Sequence, residues 1–231
     1  MNSKDFTLHQ TADGSATLYS GEMQESYHSL NGALQESKHV FIEAGLKHCS
    51  TKNIHVFEVG FGTGLNALLT WGEAKRSNLN ISYTTVEAFP LPLDIISAIG
   101  YDALEPSLPK EAFQQMHQAI WNCPVILEKT CFTLEKIIGD FTTMSFQSRF
   151  DLIYFDAFAP EKQPEMWEER LFAHLFAHLN DNGILVTYCA KGEVRRRLQR
   201  CGFTVERLPG PPGKREMLRA VKSNFNYTGT P

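Results

Sequence analysis

A glycine-rich segment between an apolar run and a helical pattern constrains this chain most. Residues 54–57 are predicted to form a short buried strand, and residues 65–71 have the spacing of a helix. Between them Gly60, Gly62 and Gly64 occupy alternate positions, so the backbone can turn tightly and approach a ligand without an intervening side chain. Because the first turn of a helix has free N–H groups, this strand–turn–helix unit is typical of a site for a nucleotide-like cofactor.

The spacing of these glycines distinguishes two classes of cofactor. A dinucleotide site has the pattern G-x-G-x-x-G and directs the helix dipole at a pyrophosphate. Here the third glycine comes one residue early, and Glu58 precedes the first glycine. A carboxylate repels pyrophosphate but suits S-adenosylmethionine (SAM), which carries an ammonium and a sulfonium group and no phosphate. The pattern therefore favours SAM over a turn that is only structural. The expected cofactor contacts in the turn are Glu58, Gly60, Phe61, Gly62, Thr63, Gly64 and Asn66.

Length and composition indicate an ordinary globular protein. At 231 residues, 42% hydrophobic and 21% charged, the chain is expected to form one domain with a substantial core. No apolar run is long enough to span a membrane, and the N-terminus does not resemble a signal peptide. The five cysteines are scattered and form no C-x-x-C pair, so neither a zinc site nor a disulfide framework is indicated. A cytoplasmic location is expected.

The net charge of −4 conceals an uneven distribution along the chain. Residues 190–231 contain ten Lys or Arg and three Glu, whereas the preceding residues sum to −11. A basic C-terminal region on an acidic body suggests an anionic partner. From charge alone, a solvated helix face followed by a basic tail explains the pattern equally well.

The rest of the chain alternates strands with helices after a polar hairpin at 6–24. Strands are predicted at 80–86, 125–127, 150–156, 183–188, 203–208 and 216–221, and helices at 33–48, 111–121, 132–138, 164–179 and 192–201. Such alternation builds a mostly parallel α/β sheet, while the last two strands form an antiparallel hairpin. We predict a Rossmann-like SAM-dependent methyltransferase fold with a seven-stranded, mostly parallel sheet. The single domain would comprise an N-terminal β-hairpin extension (1–50) and a SAM-binding core (51–222).

Two acidic residues stand at the ends of predicted strands. In a parallel sheet the carboxyl ends of the strands line the ligand crevice. Glu87 follows Gly64 by 23 residues, where a carboxylate can accept hydrogen bonds from both ribose hydroxyls. Asp156 ends an apolar strand and is placed to face the transferable methyl group, with Phe158 and Pro160 able to hold a flat base. The alternatives are a solvated acid for Glu87 and a helix N-cap for Asp156.

Longer segments of the sequence resemble a known family. They include E-A-F-P-L at 87–91, D-A-F-A-P-E-K-Q-P-E-M-W at 156–167, V-R-R at 194–196 and G-K-R-E-M-L at 213–218, after the glycine turn. Taken in this order, they resemble the methyltransferase domain of MnmC-type tRNA wobble-uridine modification enzymes over about residues 16–221. The second and fourth segments are specific to that family, whereas the glycine turn alone is not.

The resemblance implies a reaction and a partner. The reaction is SAM-dependent methylation of the exocyclic amine of 5-aminomethyl-(2-thio)uridine, giving 5-methylaminomethyl-(2-thio)uridine at the wobble position. The partner is the tRNA anticodon stem-loop, whose unpaired base can be splayed into a pocket. Bifunctional members also carry an FAD-dependent domain that removes a carboxymethyl group. We expect no FAD, no metal, no membrane and no obligate protein partner here, and action only on the free aminomethyl form.

One departure from the family concerns the adenine of the cofactor. Bifunctional members have Gly-Asp after the third strand, where the Asp can hold the adenine amine. With that strand predicted at 125–127, the corresponding residues are Lys129, Thr130 and Cys131. The predicted cofactor contacts outside the turn are therefore Glu87, Ala88, Thr130, Cys131 and Asp156.

Asp156 is the predicted catalytic residue. The amine must be neutral to attack, and Asp156 can orient it and accept or relay its proton. Tyr27 and His28 are expected to help close the site, although simple packing is an equal alternative for His28. Phosphate contacts position a nucleic acid without reading its sequence. The cations expected in that role are Lys191, Arg195, Arg196, Lys214 and Arg215.

Three other functions are consistent with parts of the sequence. A methyltransferase for a small-molecule amine requires no basic C-terminal region. A non-catalytic module that binds SAM or RNA requires no Asp156. A nicotinamide dehydrogenase conflicts with the glycine spacing.

Overall fold

Two β-sheets of different size form the framework of this α/β protein. The computed structural model describes residues 5–129 and 131–223. The smaller, antiparallel sheet contains β1 (Phe6–Gln10), β2 (Ala16–Ser20) and β3 (Glu25–Ser26). The larger sheet contains β4 (Asn53–Val59), β5 (Asn80–Glu87), β6 (Val125–Glu128), β7 (Phe132–Ile138), β8 (Phe150–Phe155), β9 (Leu179–Thr187), β10 (Thr204–Pro209) and β11 (Glu216–Val221).

Helices connect most of these strands. The α-helices are α1 (Ala33–Ser37), α2 (Leu65–Ser77), α3 (Leu93–Ile99), α4 (Ala112–Gln118), α5 (Glu169–His178) and α6 (Gly192–Arg200). A π-helical segment, Lys38–Glu43, continues α1, and 3₁₀ turns occur at Leu46–His48, Tyr101–Ala103, Phe141–Thr143 and Pro164–Trp167. Within the described part of the chain, no helix has both the length and the apolar composition needed to cross a membrane.

The large sheet has the strand order β10-β11-β9-β8-β4-β5-β7-β6. Its centre, from β9 to β7, is parallel, whereas β6 and β11 run antiparallel to their neighbours. Successive residues of the central strand β4 enter opposite cores: Val56 packs with α2 and α4, and Phe57 packs with α5 and α6. Because helices cover both faces, the central strands are nearly continuous apolar runs.

The prediction of a helix at 132–138 is wrong, because this segment is the parallel strand β7. It pairs with β5 from Ile81↔Phe132 to Glu87↔Ile138. Its buried and half-buried residues alternate as a strand requires, but Lys136 occupies one of the buried positions and conceals the pattern in the sequence. The segment predicted as the third parallel strand is instead the edge strand β6. The large sheet therefore has eight strands and not seven.

The ends of the chain agree more closely with prediction. The N-terminal hairpin is present and gains the short strand β3, and β10 and β11 form the expected antiparallel hairpin. The helix predicted at 164–179 begins as a 3₁₀ turn and becomes α-helical only at Glu169. Leu18 and Phe41 of the N-terminal region are buried in the same core as α2. The division into 1–50 and 51–222 stays a prediction.

Candidate active site

A cleft of about 580 Å³ lies at the carboxyl ends of β4, β5, β7 and β8. This volume is typical of a pocket for a small organic ligand. The predicted residues that line it are Tyr27, His28, Gly60, Phe61, Gly62, Thr63, Asn66, Glu87, Ala88, Asp156, Phe158 and Lys214. The predicted residues that do not line it are Glu58, Gly64, Cys131, Pro160, Lys191, Arg195, Arg196 and Arg215. Thr130 lies outside the described residues.

The glycine turn forms one wall of the cleft and admits no larger residue. Gly60, Gly62 and Gly64 all have positive φ, between 49° and 89°. A Cβ on Gly62 would lie 3.0 Å from Cδ1 of Tyr27, and a Cβ on Gly60 would lie 3.1 Å from the carbonyl oxygen of Asp156. Glycine is therefore required both by backbone conformation and by close packing, as the sequence suggested.

Glu87 is held at the next strand end by backbone donors. Its Oε2 accepts from the Gly62 N–H at 3.0 Å, and its Oε1 accepts from the Phe89 N–H at 2.9 Å. The carboxylate thus joins the end of β5 to the glycine turn and still borders the cleft. This arrangement is compatible with the predicted contact to two ribose hydroxyls.

Asn66 bridges two carboxyl groups beneath the turn. Its Nδ2 donates to Asp156 Oδ2 at 2.7 Å and to Glu58 Oε1 at 3.1 Å. Glu58 is fully buried, and burial together with repulsion from Asp156 holds its pKa well above the usual value. Glu58 does not line the cleft. A contact between Glu58 and the cofactor stays a prediction, and Asp156 and Glu87 are among the carboxylates that line the cleft.

Asp156 lies on the floor of the cleft at the end of β8. Burial raises its pKa to about 7; the hydrogen bond from Asn66 opposes this shift, Glu36 adds to it and Lys214 again opposes it. A carboxyl group that titrates near neutral pH is suited to accept a proton from a substrate. The geometry therefore supports the proton-accepting role over the alternative of a helix cap, because the segment after Asp156 is not helical.

Tyr27 and His28 connect the small sheet to the glycine turn. The Tyr27 ring packs on Gly62 and meets Phe158 edge to face, with ring centroids 5.1 Å apart. His28 Nε2 lies 2.8 Å from Thr63 Oγ1, and burial lowers the pKa of this histidine to about 4. Both residues therefore line the cleft and contact the glycine turn, Tyr27 by packing and His28 by a hydrogen bond.

The strand order of the large sheet changes which residues follow the third parallel strand. Since the third parallel strand is β7, the residues that follow it are Gly139 and Asp140, which match the Gly-Asp pattern that the resemblance implies at this position. Both line the cleft, and the Gly139 N–H donates to the Glu87 carbonyl at 3.1 Å. Cys131 precedes β7 and bonds to Ile81 at the start of β5, the opposite edge of the sheet. It cannot contact a ligand in the cleft.

Lys214 borders the cleft and is half-buried. Its Nζ donates to Glu36 Oε2 at 2.5 Å and lies 3.8 Å from the centroid of the Tyr188 ring. A phosphate contact by Lys214 stays a prediction, and in this structure its ammonium group is paired with Glu36. Neither Glu36 nor Tyr188 stands out in the sequence, because only the tertiary structure brings the N-terminal helix, β9 and the C-terminal hairpin together.

The other expected phosphate contacts lie outside the cleft. Lys191 pairs with Glu161, and Arg196 pairs with Glu193 at 2.8 Å. Arg195 and Arg215 form no ion pair with any described residue. Exposed pairs such as the first two contribute little and exchange readily, so these cations remain available to an anionic partner. Pro160 lies beside Lys191 in a separate shallow depression.

The chemistry of the cleft fits a ligand with positive groups. Among the described lining residues, carboxylates outnumber basic side chains, and the base Lys214 is already paired. The Oδ1 atom of Asn66 is buried without a hydrogen-bond partner, and a buried acceptor of this kind requires a donor. The ammonium group of SAM can supply one. A pyrophosphate would meet only repulsion from these carboxylates.

The fold and this cleft define a SAM-dependent methyltransferase. A family model described as S-adenosyl-L-methionine-dependent methyltransferase matches residues 107–223, which is half of the 231-residue chain. The chain belongs to that family.

The most informative relatives carry MnmC names, which confirms the resemblance seen in the sequence. The tRNA 5-methylaminomethyl-2-thiouridine biosynthesis bifunctional protein MnmC of Methylobacillus flagellatus is 32% identical over 216 residues, covering 87% of this chain and 33% of that protein. The same-named protein of Leptospira borgpetersenii is 34% identical, covering 90% and 34%. This chain therefore spans about a third of these curated relatives.

Solved structures give the same fold. MNMC2 from Aquifex aeolicus superimposes with a TM-score of 0.75 at 25% identity, covering 93% of this chain and 70% of that chain. Spermidine synthase from Thermotoga maritima has a TM-score of 0.58 at 12% identity, covering 94% of this chain and 69% of the other. At 12% identity, the similarity to spermidine synthase shows only a shared fold.

Proposed function

We propose that this chain transfers the methyl group of SAM to the exocyclic amine of 5-aminomethyl-(2-thio)uridine at the wobble position of tRNA. The observation that carries the proposal is Asp156, a carboxyl group with a pKa of about 7 at the floor of a cleft bordered by the glycine turn and Glu87. The MnmC names of the relatives supply the substrate. Since the substrate is tRNA, the proposal includes a cytoplasmic location.

In this proposal the residues of the cleft have separate tasks. Gly60, Gly62 and Asn66 hold the methionine part of SAM, Glu87 holds its ribose and Asp140 its adenine. Bound SAM supplies a methyl group on a sulfonium that is already a good leaving group, so the protein mainly aligns the amine.

On the substrate side, Asp156 orients the neutral amine and accepts its proton. Phe158 and Tyr27 contact the flat base and exclude water. Arg195, Arg215, Lys191 and Arg196 bind tRNA phosphates outside the cleft.

The proposal is tested with tRNA that carries 5-aminomethyl-2-thiouridine. Purified chain, SAM and this tRNA should yield 5-methylaminomethyl-2-thiouridine in a nucleoside mass spectrum, and Asp156→Asn should not. tRNA with the carboxymethylaminomethyl base should remain unchanged in the same assay. If the nucleosides of the aminomethyl tRNA were unchanged after incubation with the chain and SAM, the proposed substrate would be refuted.

A methyltransferase for a small-molecule amine is the second candidate. The ion pair between Lys214 and Glu36 favours it, because this pair leaves less positive charge at the cleft for tRNA. The free nucleoside 5-aminomethyluridine, assayed beside the tRNA, separates the two. Equal kcat/KM values for the free nucleoside and the tRNA would favour the hypothesis of a small-molecule substrate.

A further inference from the structure

Lys136 is a buried cation that lies outside the cleft and has no role in the proposed chemistry. It occupies a core position of β7 and is 1% exposed. No described carboxylate lies within ion-pair distance of its Nζ. Burying a charge without an opposite charge costs stability, so the retention of a lysine here calls for a local explanation.

The surroundings of Lys136 form a three-sided cage. Its Nζ donates to the carbonyl oxygen of His117 at 2.6 Å. The same nitrogen lies 4.6 Å from the centroid of the Trp121 ring and 5.5 Å from that of Phe61. Both aromatic distances are within the range of a cation–π attraction. The cage thus joins the end of α4, the loop after it and a residue of the glycine turn.

A second contact extends from this cage to the turn. The His117 ring Nε2 lies 3.0 Å from the carbonyl oxygen of Thr63. Burial and the nearby Lys136 lower the pKa of His117 to about 3, so the ring is neutral and Nε2 is the donor. The ring also lies 2.8 Å from the position that a Cβ on Gly64 would take. Lys136 and His117 therefore support Phe61, Thr63 and Gly64 of the glycine turn by direct contact.

We propose that Lys136 is a positioning residue for the cofactor site, acting through His117 and Phe61 to fix the glycine turn in its ligand-binding conformation. The inference depends on the assignment of that turn to SAM. It goes beyond the assignment because Lys136 does not line the cleft and reaches the glycine turn through Phe61 and His117. The alternative is that Lys136 only supports the fold.

The two roles differ in what they predict for Lys136→Met. The methionine side chain retains much of the volume and lacks the charge. A positioning role predicts that the dissociation constant for S-adenosylhomocysteine rises by roughly tenfold or more, since a charge-assisted hydrogen bond is lost, while Tm stays near or above that of the natural protein. Lys52→Met, which makes the same change on the exposed segment before β4, should change neither quantity.

Calorimetric titration with S-adenosylhomocysteine and thermal unfolding of the full chain test the inference. An unchanged dissociation constant in folded Lys136→Met would overturn it. If that variant does not fold, substitutions of His117 test the inference instead. His117→Leu should weaken binding of S-adenosylhomocysteine by roughly fivefold or more. His117→Gln keeps a donor for the Thr63 carbonyl and should restore most of the affinity. Equal affinities in both would overturn the inference as well.

The natural chain provides the separate test of the cofactor. If it bound neither SAM nor S-adenosylhomocysteine, the cofactor assignment and the role of Lys136 would fall together. If it bound them but Lys136 and His117 had no effect on affinity, only the inference would fall.

Discussion

At the scale of single residues, the surroundings of a carboxyl group determine its pKa. Glu58 and Asp156 are both acids at the ends of neighbouring strands, and Asn66 donates to each. Complete burial and the nearby Asp156 hold the pKa of Glu58 well above its usual value, while Asp156 borders the cleft and has a pKa of about 7. Residue type alone does not distinguish the two, because the difference comes from solvation.

Asp156→Asn should lower kcat by about 100-fold or more, because the amide cannot accept the proton of the amine. In the natural enzyme the rate should rise as the pH increases through about 7, where Asp156 becomes ionised. Steady-state kinetics between pH 5.5 and 9 give both quantities, with the pH range chosen to span about two units around that pKa. Asp181→Asn on the exposed part of β9 is the matched control and should retain full activity.

The same substitution should stabilise the protein at neutral pH. The pKa of Asp156 is raised from 3.8 in a model peptide to about 7 in the folded chain, so the stability linked to its proton is complete below pH 3.8 and is lost as pH rises to about 7. The Tm of Asp156→Asn should thus exceed that of the natural chain increasingly over this window. A Tm difference that is independent of pH would contradict the raised pKa.

Asp140 and Cys131 test which residues follow the third parallel strand. Asp140→Ala should weaken S-adenosylhomocysteine binding by roughly fivefold or more, the cost of one polar contact to the adenine. Cys131→Ala should lower Tm slightly, because it removes a buried sulfur, and leave affinity unchanged. Titration calorimetry with S-adenosylhomocysteine measures the affinity of both variants. If Cys131→Ala weakened binding and Asp140→Ala did not, the assignment of Cys131 to the cofactor site would be restored.

At the scale of elements, local patterns predicted most of the helices and strands but failed at β7. A strand covered on one face reveals itself by alternation, and Lys136 interrupts the apolar positions of β7. That one error displaced the Gly-Asp pair from the site and reduced the strand count to seven. The pairing of β7 with β5 is a long-range contact, so no short sequence window contains it.

The glycine turn provides a test at the same scale. Gly62→Ala places a Cβ 3.0 Å from Tyr27 in a backbone with φ of 49°, so it should weaken S-adenosylhomocysteine binding by about tenfold or more. Gly14→Ala makes the same change in the N-terminal hairpin, where φ is 83° and no atom lies within 4 Å. It should lower stability by roughly 1 kcal/mol and leave affinity unchanged. Equal affinities of the two variants would show that the turn does not meet the cofactor.

At the scale of the whole molecule, charge is divided between an acidic cleft and a basic C-terminal region. The sequence showed the imbalance, but the structure shows that Lys214 neutralises Glu36 inside the cleft and that other cations are paired on the surface. The free cations Arg195 and Arg215 are the best candidates for phosphate contacts within the described residues. Binding of tRNA should therefore depend on salt less steeply than the count of basic residues suggests.

Replacing Arg195 and Arg215 together by alanine should weaken tRNA binding and reduce the slope of log K against log salt by about two. Lys47→Ala is the control. Lys47 lies in the 3₁₀ turn before β4, and its replacement should leave the slope unchanged. Filter binding between about 50 and 200 mM salt measures these slopes. A slope that is unaffected in the double variant would rule out both arginines as phosphate contacts.

The sequence by itself determined the α/β class, the strand–turn–helix unit and the two acids Glu87 and Asp156. These features depend on local spacing, on glycine conformation and on the rule that parallel strands end at one edge. Only the tertiary structure decided that burial raises the pKa of Glu58, that Asp140 and not Cys131 lines the cleft, and that Lys214 pairs with Glu36 at the cleft. Each of these depends on solvation and on contacts between distant segments, which residue order does not encode locally.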